Sequence, residues 1–314
     1  MHGPQRIVSL LASATEILAS LGLLDRIQAI SHECDYPPGV VGRPRVTRST
    51  LSSSLPSAEI DETVRRRLGA GEPLYQLDVE EICRIGPDLI ITQAQCDVCA
   101  VRYQDVLDLL ELNPSLHTHV LPLNPSSLQE ILADIVQVGR ATDCQEKAIQ
   151  LVGQLKERML AVQQQVMGQP KPRVACIEWI EPIMLAGNWV PDLISAAGGE
   201  SLLAEGGTES VYHSWHDIVE LDPEVIVVAP CGFDLDRSKQ EAGGLPGLPH
   251  WGELAAVRQE RVFLMDGNAL LNRSGPRVVD TIEVLAHLFH PDHVESPGGN
   301  CRRGAGWDLL GKNA

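Results

Sequence analysis

Apolar positions along this chain follow two periods. Short, nearly unbroken apolar runs occur at Arg6–Leu10, Arg26–Ile30, Asp88–Thr92, His119–Leu123, Arg173–Trp179, Glu224–Ala229 and Arg261–Met265. Runs of this length, bounded by polar and turn residues, predict strands covered on both faces, as in a parallel sheet. Between them, apolar residues recur every three or four positions. That spacing predicts helices opening at Ser13-Ala14-Thr15-Glu16 and running to about Leu21, then at Ala58–Leu68, Asp78–Ile85, Gln104–Leu112, Ser126–Gly139, Trp189–Ala197, His216–Leu221 and Pro276–Phe289. Ser13 and Glu16 read as a capping box for the first. Strands alternating with helices predict an α/β architecture.

One helical stretch is longer than the rest. From Thr142 to Gly168, apolar residues at Ala148, Leu151, Val152, Leu155, Met159, Val162 and Val166 share one face. Thr142 or Asp143 is the expected cap, and Gly168 with Pro170 the stop. Such a helix is roughly 35–40 Å long at 1.5 Å per residue. It is either a strut between two lobes or a surface helix of one large domain. An internal echo favours the strut. Glu81–Ile91 and Asp217–Val227 each read as a helix, a proline break and a buried strand, one on either side of the long helix. The expected organisation is an N-terminal α/β lobe over 1–125, a helical connector over 126–168, a C-terminal α/β lobe over 169–294, and a flexible Gly-rich tail over 295–314.

Composition narrows the function classes. A net charge of -17 disfavours phosphate backbones, so no nucleic-acid partner is expected. The Arg65-Arg66-Arg67 cluster reads as a solvated helix face. No run reaches the ~18 apolar residues of a membrane span. With no secretory leader before Ile7, the expectation is a cytoplasmic protein, or a periplasmic one if a leader has been removed. Eight cysteines fit a reducing compartment.

Four segments carry a family likeness: IVSLLASATEILASLGLLDRIQAISHECDYP, GPDLIITQ, WVPDLISAAGGESLL and DGNALLNRSGPRVVDTIEVLAHLFHP. In this order, from about Arg6 to Pro291, they resemble the substrate-binding proteins of ABC importers for cobalamin and ferric siderophores, in particular the cobalamin-binding group. The resemblance implies two α/β lobes joined by one long helix, with the ligand cleft between the lobes and no enzymatic activity. It also implies docking on a permease through an acidic residue on each lobe. Glu80 stands at the first such position, whereas the second falls near His216 and Asp217, which puts permease docking in doubt.

The expected ligand is a corrinoid, cobalamin or a related tetrapyrrole or metal chelate, bound by a monomer in a carrier or salvage role. Loops at the carboxyl ends of the strands should line the site. Tyr36, Trp179, Trp189, Trp215 and Phe233 are candidate aromatic walls. Asn268, Asn272 and Arg273 can bond amides or carboxylates. The resemblance places contacts near Tyr36, Trp179, Trp215 and Arg273. Each aromatic could equally be core. A second set, His32, Cys34, Cys96, Cys99 and His216, has the residue types of a zinc or iron site or of cobalt ligands. The competing readings are reduced thiols with no ligand, and a thiol- or metal-dependent enzyme on the same scaffold.

Overall fold

A computed structural model describes residues 3–52, 54–94, 98 and 100–311. The chain divides into two compact units. Unit 1 comprises Met1–Leu55, Glu62–Pro125 and Gln129–Gln154; unit 2 comprises Pro56–Asp61, Ser126–Leu128 and Leu155–Ala314.

The elements from the amino terminus are β1 (Ile7–Ser9), α1 (Ala12–Ser20), β2 (Ile27–Ile30), β3 (Thr47–Ser49), α2 (Ser57–Gly69), β4 (Tyr75–Leu77), α3 (Val79–Ile85), β5 (Leu89–Gln93), α4 (Tyr103–Leu112), β6 (His119–Leu123), α5 (Leu128–Ala141) and α6 (Gln145–Val166). Unit 1 is built on a parallel sheet in the order β2-β1-β5-β6. Every residue of β1 and β5 is buried, which explains their continuous apolar runs. Val8, Leu10, Ala29, Ile82, Ile90, Val106 and Leu109 form the core between sheet and helices. A separate antiparallel pair, β3-β4, was not expected from the sequence.

The long helix α6 has 22 residues, about 33 Å at 1.5 Å per residue. The boundary between the units falls within it, between Gln154 and Leu155. Ala148, Leu155, Val162 and Val166 are its buried face, as the periodicity requires. Its start differs from expectation. Thr142 is buried and its hydroxyl donates back to Val138 O, 2.7 Å away, closing α5 instead of capping α6. Likewise, α1 begins before Ser13. Leu11 occupies the cap position, and Ser13 and Glu16 lie inside the helix, both buried.

Unit 2 continues with β7 (Arg173–Trp179), β8 (Met184–Leu185), α7 (Val190–Ala196), β9 (Glu200–Ser201), β10 (Val211–Tyr212), α8 (Trp215–Leu221), β11 (Val225–Val228), α9 (Leu235–Ala242), α10 (Ala255–Arg258), β12 (Val262–Met265), α11 (Val278–Phe289) and β13 (Trp307–Leu309). Its sheet runs β10-β8-β7-β11-β12-β13, with β9 paired to β7. The central strands β7, β11 and β12 are parallel, and β8, β10 and β13 are antiparallel to their neighbours. The two units are therefore α/β, joined through one long helix. The echo segments map onto α3–β5 and α8–β11, one in each unit.

The Gly-rich end departs from the flexible tail expected. β13 pairs with β12, and Trp307 is buried against Phe263 and His287, with ring centroids 6.0 and 5.7 Å away. A single indole with enough area to bury fastens a segment otherwise poor in apolar residues.

Candidate functional site

In unit 2 the loops after β7, β11 and β12 come together at the carboxyl ends of the parallel strands. Trp179 closes β7. Its ring meets Phe233, from the loop after β11, at a centroid distance of 5.3 Å and an interplanar angle of 47°. The Arg237 guanidinium lies over the other participant, 4.9 Å from the Phe233 centroid. Arg237 is in turn ion-paired with Glu241, one helical turn along α9. Asp234 caps α9 by accepting from the Arg237 N–H at 2.8 Å, and this fixes where Arg237 stands.

The loop after β12 is tied to this wall. The Asn268 N–H donates to Phe233 O at 3.0 Å. Asp266 caps the turn Gly267–Leu271 by accepting from the Ala269 N–H at 2.6 Å. Burial holds its carboxyl above the ordinary carboxylate value. Gly267 permits the close approach, because a Cβ there would lie 2.1 Å from Pro230 O. Arg273 is only 3% exposed. It donates to Asn268 twice, from Nε to the carbonyl at 3.0 Å and from Nη2 to the side-chain oxygen at 2.9 Å. Asn272 Nδ2 donates to Ala229 O at 3.3 Å. The arrangement is an aromatic pair with one stacked cation, beside a loop whose amide and guanidinium groups are held in place. Phe233 is itself only 7% exposed, so the flat contact area on offer is that of the partly exposed Trp179, which Phe233 backs.

The expected wall residues divide accordingly. Trp179, Asn268 and Arg273 belong to this assembly. Trp189 is buried beneath the same loop, where its indole N–H donates to Leu271 O at 3.0 Å. Trp215 stacks on Trp251, centroids 5.8 Å apart, and donates to Pro249 O at 2.7 Å. Tyr36, in unit 1, is 38% exposed. Arg237 and Glu241 were not singled out from the sequence. Their signal was there, as an Asp234 cap three residues before Arg237 and an i,i+4 charge pair.

The His/Cys set is not brought together as a metal centre among the described residues, which contain no group of three or more His, Cys, Asp or Glu side chains able to hold an ion. Cys34 is fully buried, its thiol 3.1 Å from the Thr15 hydroxyl, which donates to Ser9 Oγ at 2.8 Å. That thiol is a packed core group. His32 Nδ1 lies 2.6 Å from Thr47 Oγ1 and Nε2 lies 3.1 Å from Glu33, while its ring packs on Tyr75. His216, in unit 2, pairs with Glu220 on an exposed face of α8. Cys96 and Cys99 lie outside the described residues.

Of the two docking acids considered, Glu80 is exposed in the first turn of α3. Asp217 is engaged within its own helix. It accepts from the Ser214 N–H at 2.8 Å and donates its own N–H to Ser214 Oγ at 3.2 Å, a complete capping box. The Ser214 N–H lowers its carboxyl below the ordinary carboxylate value.

Comparison with known proteins agrees with this architecture. Residues 7–269 match the periplasmic binding protein family. The chain is 24% identical over 297 residues to YvrC of Bacillus subtilis, an uncharacterized ABC transporter substrate-binding lipoprotein, covering 92% of this chain and 81% of the relative. It is 22% identical over 281 residues to the vitamin B12-binding protein of Vibrio cholerae, covering 89% and 87%. Among solved structures, the apo periplasmic heme-binding protein RhuT from Roseiflexus shares the fold with a TM-score of 0.68 at 21% identity, covering 92% of this chain and 99% of that one. With its two α/β units, its long helix and this match across most of its length, the chain belongs to the periplasmic binding protein family.

Proposed function

We propose that this protein is a substrate-binding protein for a corrinoid, cobalamin or a precursor of it, without enzymatic activity of its own. The observation that carries the reading is the Trp179–Phe233 pair with Arg237 stacked on it, beside the Asn268–Arg273 loop. A corrin macrocycle needs broad apolar contact and a few fixed partners for its peripheral amides. Tyr36 is the contribution proposed for unit 1. The vitamin B12-binding relative supports the corrinoid, and the heme-binding neighbour makes an iron tetrapyrrole the reading to test against it.

The role proposed is that of an intracellular carrier or salvage factor acting as a monomer. The engagement of Asp217 within its own capping box supports a role apart from permease docking. Six free thiols among the described residues suit a reducing compartment. Cell fractionation checks the compartment, and light scattering checks the oligomeric state. The ligand is tested by titrating purified protein with cyanocobalamin and with hemin, followed by visible absorption and calorimetry. Tighter binding of cyanocobalamin supports the reading, and tighter binding of hemin replaces it with the second.

A further inference from the structure

Two fastenings of the loop 266–273 come from the body of unit 2: Phe233 O accepts from the Asn268 N–H, and the Trp189 indole bonds Leu271 O. Another comes from the carboxyl-terminal segment. The Asp266 N–H, at the root of the loop, donates to Gly306 O at 2.9 Å. Gly306 also lies against the turn Gly267–Leu271. A Cβ at Gly306 would stand 3.2 Å from Leu270 Cδ1 and 2.6 Å from Asn300 O, so the close approach requires glycine. The family match ends at residue 269, inside that turn, and the segment that makes this contact follows the matched region.

The segment is itself well anchored, all within unit 2. β13 pairs with β12, and beyond it the Leu310 N–H donates to Val262 O at 3.0 Å. Trp307 is buried against Phe263 and His287. Asp308 sets one carboxylate oxygen 3.1 Å from Lys239 Nζ and the other 3.0 Å from Arg303 Nε. Lys239 lies on α9, so the helix that carries Arg237 to the aromatic wall also carries an anchor of the segment. The turn before β13 is closed by its own bonds, from the Gly304 N–H to Trp307 O at 2.7 Å and from the Gly306 N–H to Arg302 O at 3.0 Å. A segment fastened in this way can hold a neighbouring loop, which a frayed tail could not.

We propose that the segment 298–310 is a strap that positions the loop 266–273. By fixing Asp266 and Leu270 it fixes the turn that carries Asn268 and leads to Arg273. The loop is then ordered before the ligand arrives, and the wall binds more tightly because less ordering remains to be done on binding. Gly306 and Trp307 are positioning residues, acting through the loop. The effect on affinity rests on the reading of the wall as a tetrapyrrole site; the effect on the loop does not.

The test compares the full-length wild type with Gly306→Ala and Trp307→Leu. Gly306→Ala drives a methyl group between the strap and the loop. Trp307→Leu keeps an apolar side chain in the pocket, leaves Gly306 untouched, and decides alone if Gly306→Ala does not fold. In hydrogen–deuterium exchange by mass spectrometry without ligand, peptides covering 266–273 should exchange about tenfold faster in both variants, as expected for loss of one fastening. Peptides from β7 and β11 should be unchanged. The same proteins are titrated calorimetrically with cyanocobalamin and with hemin, well below their unfolding midpoints. Whichever the wild type binds should be bound roughly 3- to 10-fold more weakly by the variants. Unchanged exchange across 266–273 overturns the proposal, as does affinity equal to that of the wild type. Acceleration spread equally to β7 and β11 also overturns it, because the segment would then belong to the general stability of unit 2. If the wild type binds neither compound, the reading of the wall fails, and the exchange result alone decides the strap.

Discussion

Asp134, on α5, is 7% exposed, and its Oδ2 is buried with no hydrogen-bond partner among the described residues. Burial, with repulsion from Glu130 one turn away, raises its carboxyl from 3.8 to about 7. The folded chain therefore holds this proton more tightly than the unfolded chain does. Stability from this group is complete in acid below the unfolded value, is lost progressively as pH rises from about 4 to about 7, and is flat above that. At about 1.36 kcal/mol per pKa unit, the full cost of ionising it in place is about 4 kcal/mol. Asp134→Asn keeps the shape and removes the titration. The variant should gain about 4 kcal/mol over the wild type at pH 8 and only about 0.5 kcal/mol at pH 4. Urea unfolding at both pH values measures the difference, and subtracting wild type from variant cancels most of the general repulsion in a chain of net charge -17. All five tryptophans lie in unit 2, so far-ultraviolet circular dichroism, which also sees unit 1, is the appropriate signal. A gain of the same size at pH 4 and pH 8 refutes the reasoning, because it would come from packing and not from charge.

Three further outcomes follow from the same structure. Trp179→Ala should weaken binding of the accepted tetrapyrrole by roughly 10- to 100-fold by calorimetric titration with the unfolding midpoint little changed, whereas Phe233→Ala, at a side chain only 7% exposed, should lower the midpoint of unit 2 as well. Trp189→Phe should destabilise unit 2 by about 1–2 kcal/mol through the orphaned Leu271 carbonyl, visible as a lowered melting temperature. His290, whose imidazole contacts Gly198 O, is held below the ordinary histidine value by burial, so its contribution is present above pH 6.5 and is lost on acidification through its lower folded value. His290→Gln should accordingly narrow the stability difference between pH 7.5 and pH 5.

The central parallel strands were legible because burial on both faces leaves an unbroken apolar run, and Arg173–Trp179 ends where that run ends, whereas His119–Leu123, at the sheet edge, buries only Leu121 and Leu123. The short edge pieces were not. Val211 and Tyr212 are both exposed, so β10 exists only because β8 lies beside it. The same holds for β13, whose place depends on the Trp307 pocket. α9 escaped notice because it buries only Leu235, Ser238 and Ala242. Helix starts were misplaced where a plausible cap is used otherwise by the fold: Ser13 is buried within α1, and the Thr142 hydroxyl donates to Val138 O. At the candidate site, residue type pointed to the loops at the strand ends but not to which side chains face outward. Trp189 and Arg273 carry polar tips suited to a ligand, yet both satisfy them on neighbouring chain atoms, Leu271 O and Asn268, which lie close only after folding. Cys34 has the chemistry of a metal ligand and the burial of a core residue. Distinguishing the two requires the position of Thr15, nineteen residues away.

The central claim is that the Trp179–Phe233 wall serves a corrinoid. It is tested most directly by calorimetric titration of the wild type and Trp179→Ala with cyanocobalamin, because Trp179 is the partly exposed ring of the pair. The account predicts saturable one-to-one binding at micromolar or lower dissociation constant, weakened at least tenfold in the variant. Absence of binding up to millimolar cyanocobalamin, or equal affinity in the two proteins, would contradict it.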